Sequence, residues 1–425
     1  MTTRDAWMAL AGQLMGCVAV CAAQQPVFRS TVNLVAVDVL VVDRDGQPHT
    51  GLGVRDFDVS IDGRRRRVES AEFLQYLSRS EMASRPGVSS AVRASNDWPV
   101  GAPPRTFVIA IDTSSFTAGE SAHVLQSARA FVDRLSALDL VGVQTLPHGP
   151  TLAPTADHAA VRRTLQSVVG MQAMRPGQFH LTPAEVIDIT AADGVMQSGP
   201  RPPGRGAAAG SAVGDTNDAL RQVQMRECRS ATDQGCLAGI LAEADAINRQ
   251  FDDEAEETLS SLDRVINGLA AYPARRTIVL LSAGMPVSDR QGNWHSDGGR
   301  ARRIGQTAAR ANATIYALHV DRGYSDVFSA EARRPRQDIT REREVEQMLL
   351  SELAETSGGT LLWAPTASAD PALARLLRET SAYYLLAVAP EPRDFDGRSH
   401  QLRVKTTAKS VDVRSRLFVH LPRSR

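Results

Sequence analysis

The segment Arg105 to Phe116, RTFVIAIDTSSF, constrains the fold more than any other part of the chain. Phe107 to Ile111 is a short apolar run with β-branched members, the composition of a strand buried on both faces of a parallel sheet. It ends in Asp112-Thr113-Ser114-Ser115. Short oxygen-bearing side chains just beyond the carboxyl end of such a strand stand where open α/β sheets place their ligands. A helical pattern follows, expected over Ser121 to Leu138.

From Arg105 onward strand and helix patterns alternate. Strands are expected at Leu140 to Leu146, Thr151 to Pro154, Arg276 to Ser282, Ala313 to Val320 and Thr360 to Trp363. Helices are expected from Asp157 to Val169, Leu237 to Ala271, Ala301 to Asn312, Glu342 to Thr356 and Pro371 to Ser381. Regular alternation implies right-handed crossovers and a parallel sheet. The rhythm breaks over 170–236, where Arg201 to Gly206 and the alanine/glycine run to Gly214 read as a mobile surface insertion.

Both ends of the chain have a β texture. Phe28 to Val42, Asp56 to Ile61 and Val68 to Leu77 read as strands, as do Tyr383 to Ala389, His400 to Thr406 and Val411 to Val419. Asp-Gly pairs at 45–46, 62–63 and 396–397 supply turns. The simplest architecture is α/β, a mostly parallel sheet flanked by helices, with a small β-sandwich built from the N- and C-terminal strands. The expected divisions are a signal peptide over 1–23, strands over 28–77, a linker over 78–104, the α/β domain over 105–382 with its insertion, and closing strands over 383–422. The arginine run Arg64 to Arg67 and the acidic run Asp252 to Glu257 read as solvated faces.

Charge and cysteines bound the functional classes. Lys+Arg and Asp+Glu are equal at 48 each, and aromatics are 5% of the chain. That balance gives no electrostatic reason to expect nucleic acid, and few rings on which bases could stack. Arg4 precedes an apolar stretch from Ala6 to Ala23, the pattern of a secretory signal cut near Ala23. Leu14-Met15-Gly16-Cys17 offers a lipoprotein version of the same signal. The expected location is therefore periplasmic, cell-surface or secreted, with no integral span in the mature chain. Only Cys228 and Cys236 would follow the signal, and an even pair in an oxidising compartment suggests one disulfide.

RTFVIAIDTSSF, LDLVGV from Leu138 and RTIVLLSAG from Arg276 together resemble a von Willebrand factor type A domain. The flanking segments DRDGQP, RDFDVSIDG and YYLLAVAPEP resemble VWFA-related exported proteins common in Acidobacteria. The resemblance implies a Rossmann-like sheet with a metal-ion-dependent adhesion site at its top. That site takes the pattern Asp-x-Ser-x-Ser, a threonine from a later loop and an aspartate after another strand. Asp112 and Ser114 match the first two positions and Thr182 is the candidate threonine. Phe116 stands at the second serine, and Ser282-Ala283-Gly284 lacks the aspartate. The site is degenerate, and any cofactor would be a divalent cation such as Mg²⁺, which takes oxygen ligands.

No Gly-x-x-x-x-Gly-Lys loop, His-Glu-x-x-His or Gly-x-Ser-x-Gly elbow occurs, and His148, His180 and His319 are scattered. The expectation is a protein-binding module rather than an enzyme. Its partner is another protein, met by loops at the carboxyl end of the sheet. The alternatives are an envelope component assembling through its β strands and a cryptic hydrolase.

Overall fold

A computed structural model describes residues 34–76, 105–172, 177–197, 209–230, 232–272, 275–287, 298–321 and 336–423. The expected signal, the linker and the stretch 198–208 of the insertion lie outside the described residues. Two sheets organise the rest.

The first is a six-stranded sheet with the order β6-β5-β4-β7-β8-β9. Its strands are β4 (Thr106–Asp112), β5 (Leu140–Leu146), β6 (Thr151–Thr155), β7 (Arg276–Ser282), β8 (Ala313–Asp321) and β9 (Leu361–Pro365). β4 is buried along its whole length, as expected of a strand covered on both faces. Helices α1 (Glu120–Arg134), α2 (His158–Gln166) and α8 (Asp370–Glu379) cover one face. The other face meets α5 (Gln234–Leu269), α6 (Gly298–Arg310) and α7 (Arg336–Ser357). One strand departs from the parallel expectation: β6 pairs antiparallel with β5. Only Pro147 to Pro150 separate them, too few residues for the crossover a parallel pair needs.

The segment 170–236 is largely helical where it is described. α3 (Pro183–Gln197) and α4 (Ala209–Glu227) pack on the start of α5 around Phe179, Ile189, Val223 and Ile240. The run from Ala209 to Gly214, read from sequence as part of a mobile surface insertion, is the first part of a helix. Cys228 and Cys236 form a disulfide beside this small core. The Asp233 carboxylate caps α5 by accepting from the Cys236 N–H at 3.0 Å. α5 then runs through the acidic stretch for 36 residues, its apolar face held by Ile240, Ala244, Phe251, Leu259, Leu262 and Ile266.

The terminal strands form a second, antiparallel sheet. The expected sandwich is one hydrogen-bonded ladder in the order β12-β1-β10-β3-β2-β11-β13. Its members are β1 (Val35–Val42), β2 (Phe57–Ile61), β3 (Arg64–Gln75), β10 (Ala382–Ala389), β11 (Ser399–Thr406), β12 (Asp412–Arg414) and β13 (Phe418–His420). The 12-residue β3 is shared: Arg64 to Arg66 pair with β2, and the rest with β10. A single core including Val39, Val59, Leu386, Leu402 and Val419 joins all the longer strands. The strand expected over Val411 to Val419 is two short strands, β12 on β1 and β13 on β11, because the chain crosses between opposite edges. Nor is the arginine run wholly solvated. Arg66 is buried and donates to Asp394 at 2.7 and 2.8 Å.

The seam between the sheets is ionic and aromatic. Arg105 donates to Asp139 at 3.1 and 2.6 Å, and its guanidinium lies 5.0 Å from the Tyr76 and Phe107 ring centres. Glu379, fully buried at the end of α8, accepts from Arg414 at 2.6 and 3.3 Å and from Arg375 at 2.8 Å. Removing one member of such a pair leaves an uncompensated charge. Glu379→Ala is expected to cost about 3–5 kcal/mol of unfolding free energy. Replacing Glu379 and Arg414 together by leucine recovers much of it; denaturant midpoints measure both.

His400 on β11 carries a pH dependence. Its ring nitrogens lie 2.8 Å from Asp62 and 3.0 Å from Asp396. Burial opposes its charge, but these carboxylates outweigh it and hold the imidazole above its usual range. A raised histidine contributes stability that is complete below the unfolded pKa and fades as pH rises through the folded one. The difference in stability between wild type and His400→Gln should therefore shrink from mildly acidic to mildly alkaline pH, as read by urea denaturation.

Candidate functional site

β4 and β7 are neighbours on which the strand order reverses: from β4 the chain moves one way to β5 and β6, then returns to β7 on the other side. The crevice at their carboxyl ends is the topological switch point, where doubly wound sheets gather ligands. Asp112 and Ser282 are the last residues of these two strands.

Asp112 is buried, and its carboxylate is held by hydroxyls. Ser114 donates to Oδ1 at 2.6 Å and Ser282 donates to Oδ2 at 2.8 Å. Ser115 donates to the Asp112 carbonyl at 2.8 Å and accepts from the Ala283 N–H at 2.9 Å, tying the β4 turn to the end of β7. Burial pushes the Asp112 carboxyl above the usual carboxylate range, against the lowering effect of the serine hydrogen bonds. Thr113 points away and donates to the Leu146 carbonyl at 2.9 Å. In the short helix Thr113–Ser115 the Thr113 hydroxyl turns to β5, while those of Ser114 and Ser115 turn to Asp112 and the end of β7.

A small cleft opens above Asp112. Ser114, Ser115, Gln172, Pro183, Glu254 and Glu346 contribute to its walls, and it offers room for solvent of about 40 Å³. That is a few water molecules, well short of the roughly 300–1,000 Å³ of a small-molecule pocket. Gly284 forms part of the rim with φ of +136°, and a Cβ there would meet the Glu346 side chain at 2.7 Å. The backbone thus passes Glu346 more closely than another residue allows.

The structure brings Asp112 and Ser114 together. Thr182 comes near, since Pro183 lines the cleft, but its hydroxyl accepts from the Glu185 N–H at 3.3 Å and serves the start of α3. The Glu185 carboxylate accepts in return from the Thr182 N–H at 3.0 Å, the reciprocal pattern of a capping box. Phe116 is buried in the core against α1, and Ser282 meets Asp112 with a hydroxyl where the adhesion-site pattern has a carboxylate. Mg²⁺ asks for near-octahedral oxygens around an open position. These residues do not fit that demand. Both Asp112 oxygens already accept hydroxyl protons, one motif position is carbon and the candidate threonine caps a helix.

Sequence reasoning missed Glu254 and Glu346. Glu254 belongs to the run read as a solvated face, yet it lines the cleft and its charge adds to the upward push on Asp112. Glu346 sits beside fully buried His319, whose Nε2 lies 3.3 Å from its carboxylate and whose Nδ1 lies 3.0 Å from the Gln347 amide. His319 thus faces an acid and an amide rather than a hydroxyl. His148 and His180 are exposed, beside Glu257 and Glu227 at 3.7 and 3.6 Å. Helical spacing alone gives no sign that Glu254 and Glu346 converge, because they come from helices far apart in sequence.

Neither a comparison with protein-family models nor one with curated proteins finds a match to this chain.

Ser282→Ala would leave Asp112 Oδ2 buried without its donor. The expected loss is about 1–3 kcal/mol, the range for an orphaned buried acceptor. Ser282→Thr, which keeps the hydroxyl, should lose less; thermal and urea unfolding compare the two.

Proposed function

We propose that the chain is an exported protein-binding module of von Willebrand factor A-like kind that meets another protein through the carboxyl end of its parallel sheet. The observation that carries this reading is the cleft above Asp112. It sits at the switch point of the strand order and gathers hydroxyls, an amide and carboxylates from separate segments of the chain. Rigid strands carrying irregular segments are the usual frame for recognition. The cleft is too small for a metabolite, but it can receive the tip of a side chain projecting from a partner's surface. A donor such as an amide or a guanidinium suits the Glu254 and Glu346 carboxylates on its walls.

Recognition on this reading proceeds by hydrogen bonds and charge, without a cation. The disulfide is compatible with an oxidising compartment. Among the described residues no helix is long and apolar enough to cross a membrane.

Affinity capture from an extract of exported proteins, with wild type and Asp112→Ala in parallel, tests the reading. A partner held by the wild type should be lost or reduced about tenfold with the variant, the scale of a removed hot-spot contact. Equal capture would shift attention to the strand edges of the antiparallel sheet. Titration with Mg²⁺ should give no saturable heat. A saturable signal that disappears in Asp112→Ala would overturn the cation-free form of the proposal.

A further inference from the structure

Away from the Asp112 cleft, two grooves adjoin along the C-terminal half of α5. The first lies between α5 and α6 and encloses about 400 Å³. Four guanidinium groups line it, those of Arg264, Arg300, Arg303 and Arg310, against two carboxylates, Glu256 and Asp263. Arg300 is paired already, 3.4 Å from Glu256 and 3.8 Å from Asp252. Asp263 accepts from the Asn267 amide at 2.9 Å. Arg264 donates to the Ser261 hydroxyl at 2.7 Å and Arg310 to the Thr307 hydroxyl at 3.1 Å. Among the described residues no carboxylate pairs with Arg264, Arg303 or Arg310, and all three are exposed.

The second groove encloses about 490 Å³ between α5 and the β5–β6 hairpin. Its walls include Leu146, Pro147, Val265, Leu269 and Tyr272. Arg264 lines both grooves. Helical geometry explains the arrangement. Glu256, Ser260 and Asp263 face one side, Ser261, Val265 and Gly268 the other, and Arg264 stands on the ridge between them.

We propose that these paired grooves dock an extended segment of a partner protein in which carboxylate side chains stand next to large apolar ones. The carboxylates match the guanidinium groups, which bind them in planar, two-pronged fashion. The apolar side chains match the neighbouring groove across the Arg264 ridge. Each groove has the volume of a typical ligand pocket, roughly ten times that of the Asp112 cleft. Nucleic acid fits less well. The chain has a formal net charge of zero, and among the described residues the arginine groove has no aromatic side chain on which a base could stack. The surface is separate from the Asp112 cleft and stands whether or not that cleft binds anything.

Fluorescence anisotropy with a labelled peptide of alternating Glu-Glu and Leu-Phe pairs tests this. The controls are its Gln-for-Glu counterpart and inorganic tripolyphosphate as competitor. The wild type should bind the acidic peptide saturably and lose affinity as salt rises. Binding should fall about tenfold for the Gln peptide and for the double variant Arg303→Gln/Arg310→Gln, the scale of two lost solvent-facing ion pairs. Arg303→Lys/Arg310→Lys should retain part of it, which separates charge from disturbed folding. Absence of saturable binding would overturn the proposal. So would equal affinity for the two peptides, no change in the Gln variant, or tripolyphosphate binding the grooves more tightly than the acidic peptide.

Discussion

The arrangement of the two sheets depends on the pairing of β3 with β10. Gln75 lies opposite Ala382 in the ladder, and the Tyr76 N–H donates to the Ser381 carbonyl at 2.8 Å. The α/β body therefore leaves the antiparallel sheet and returns to it at one hydrogen-bonded pair. Its entry and exit are fixed side by side. The ionic seam follows from that geometry. Arg105 opens the α/β body, and Arg275 lies 5.3 Å from the ring centre of Tyr383 on the returning strand. Glu379 closes the last helix before β10 and reaches Arg414 on β12. Charges buried at such a junction demand particular partners, so the two sheets cannot slide against one another without stranding one.

At the other end of the parallel sheet the same reasoning produces the candidate site. Burial of Asp112 would be costly without donors, and three serines from two strand ends gather around it. The serines fix the β4 turn to β7 and hold the cleft floor in place. The carboxylates that give the cleft its character come from the helices above, Glu254 from α5 and Glu346 from α7. The cleft thus has two origins: the strand ends and the turn after β4 supply its hydroxyls, and helix packing supplies its carboxylates.

Much of the fold was legible in the sequence. The β4 and β7 runs are short, apolar and β-branched, and β7 spans the residues that pattern reading gives. The oxygen-rich turn after β4 also lies where expected. What periodicity could not reveal depends on partners distant in sequence. Arg66 looks like its three exposed neighbours until Asp394 is placed beside it. The reversal of β6 follows from the shortness of its connection, which alternation of strands and helices does not register. Alanine and glycine near Ala209 have little side-chain signal of their own, yet the segment is helical and joins α3 and α5 through Val223. Ser115 rather than Phe116 ties the turn to β7, since the chain there tightens into a short helix and sends the phenylalanine into the core.

The ladder order bears on how the chain can acquire its structure as it is made. Both partners of β1 in the ladder, β10 and β12, come after the parallel sheet in sequence. That sheet's own strands all lie between Thr106 and Pro365. The α/β body can thus close while β1 still waits, and completing the antiparallel sheet is a late event with a very long loop to close. Until β10 emerges, β1 is an apolar strand without either of its ladder neighbours. In that interval the chain is most exposed to pairing with the wrong strand.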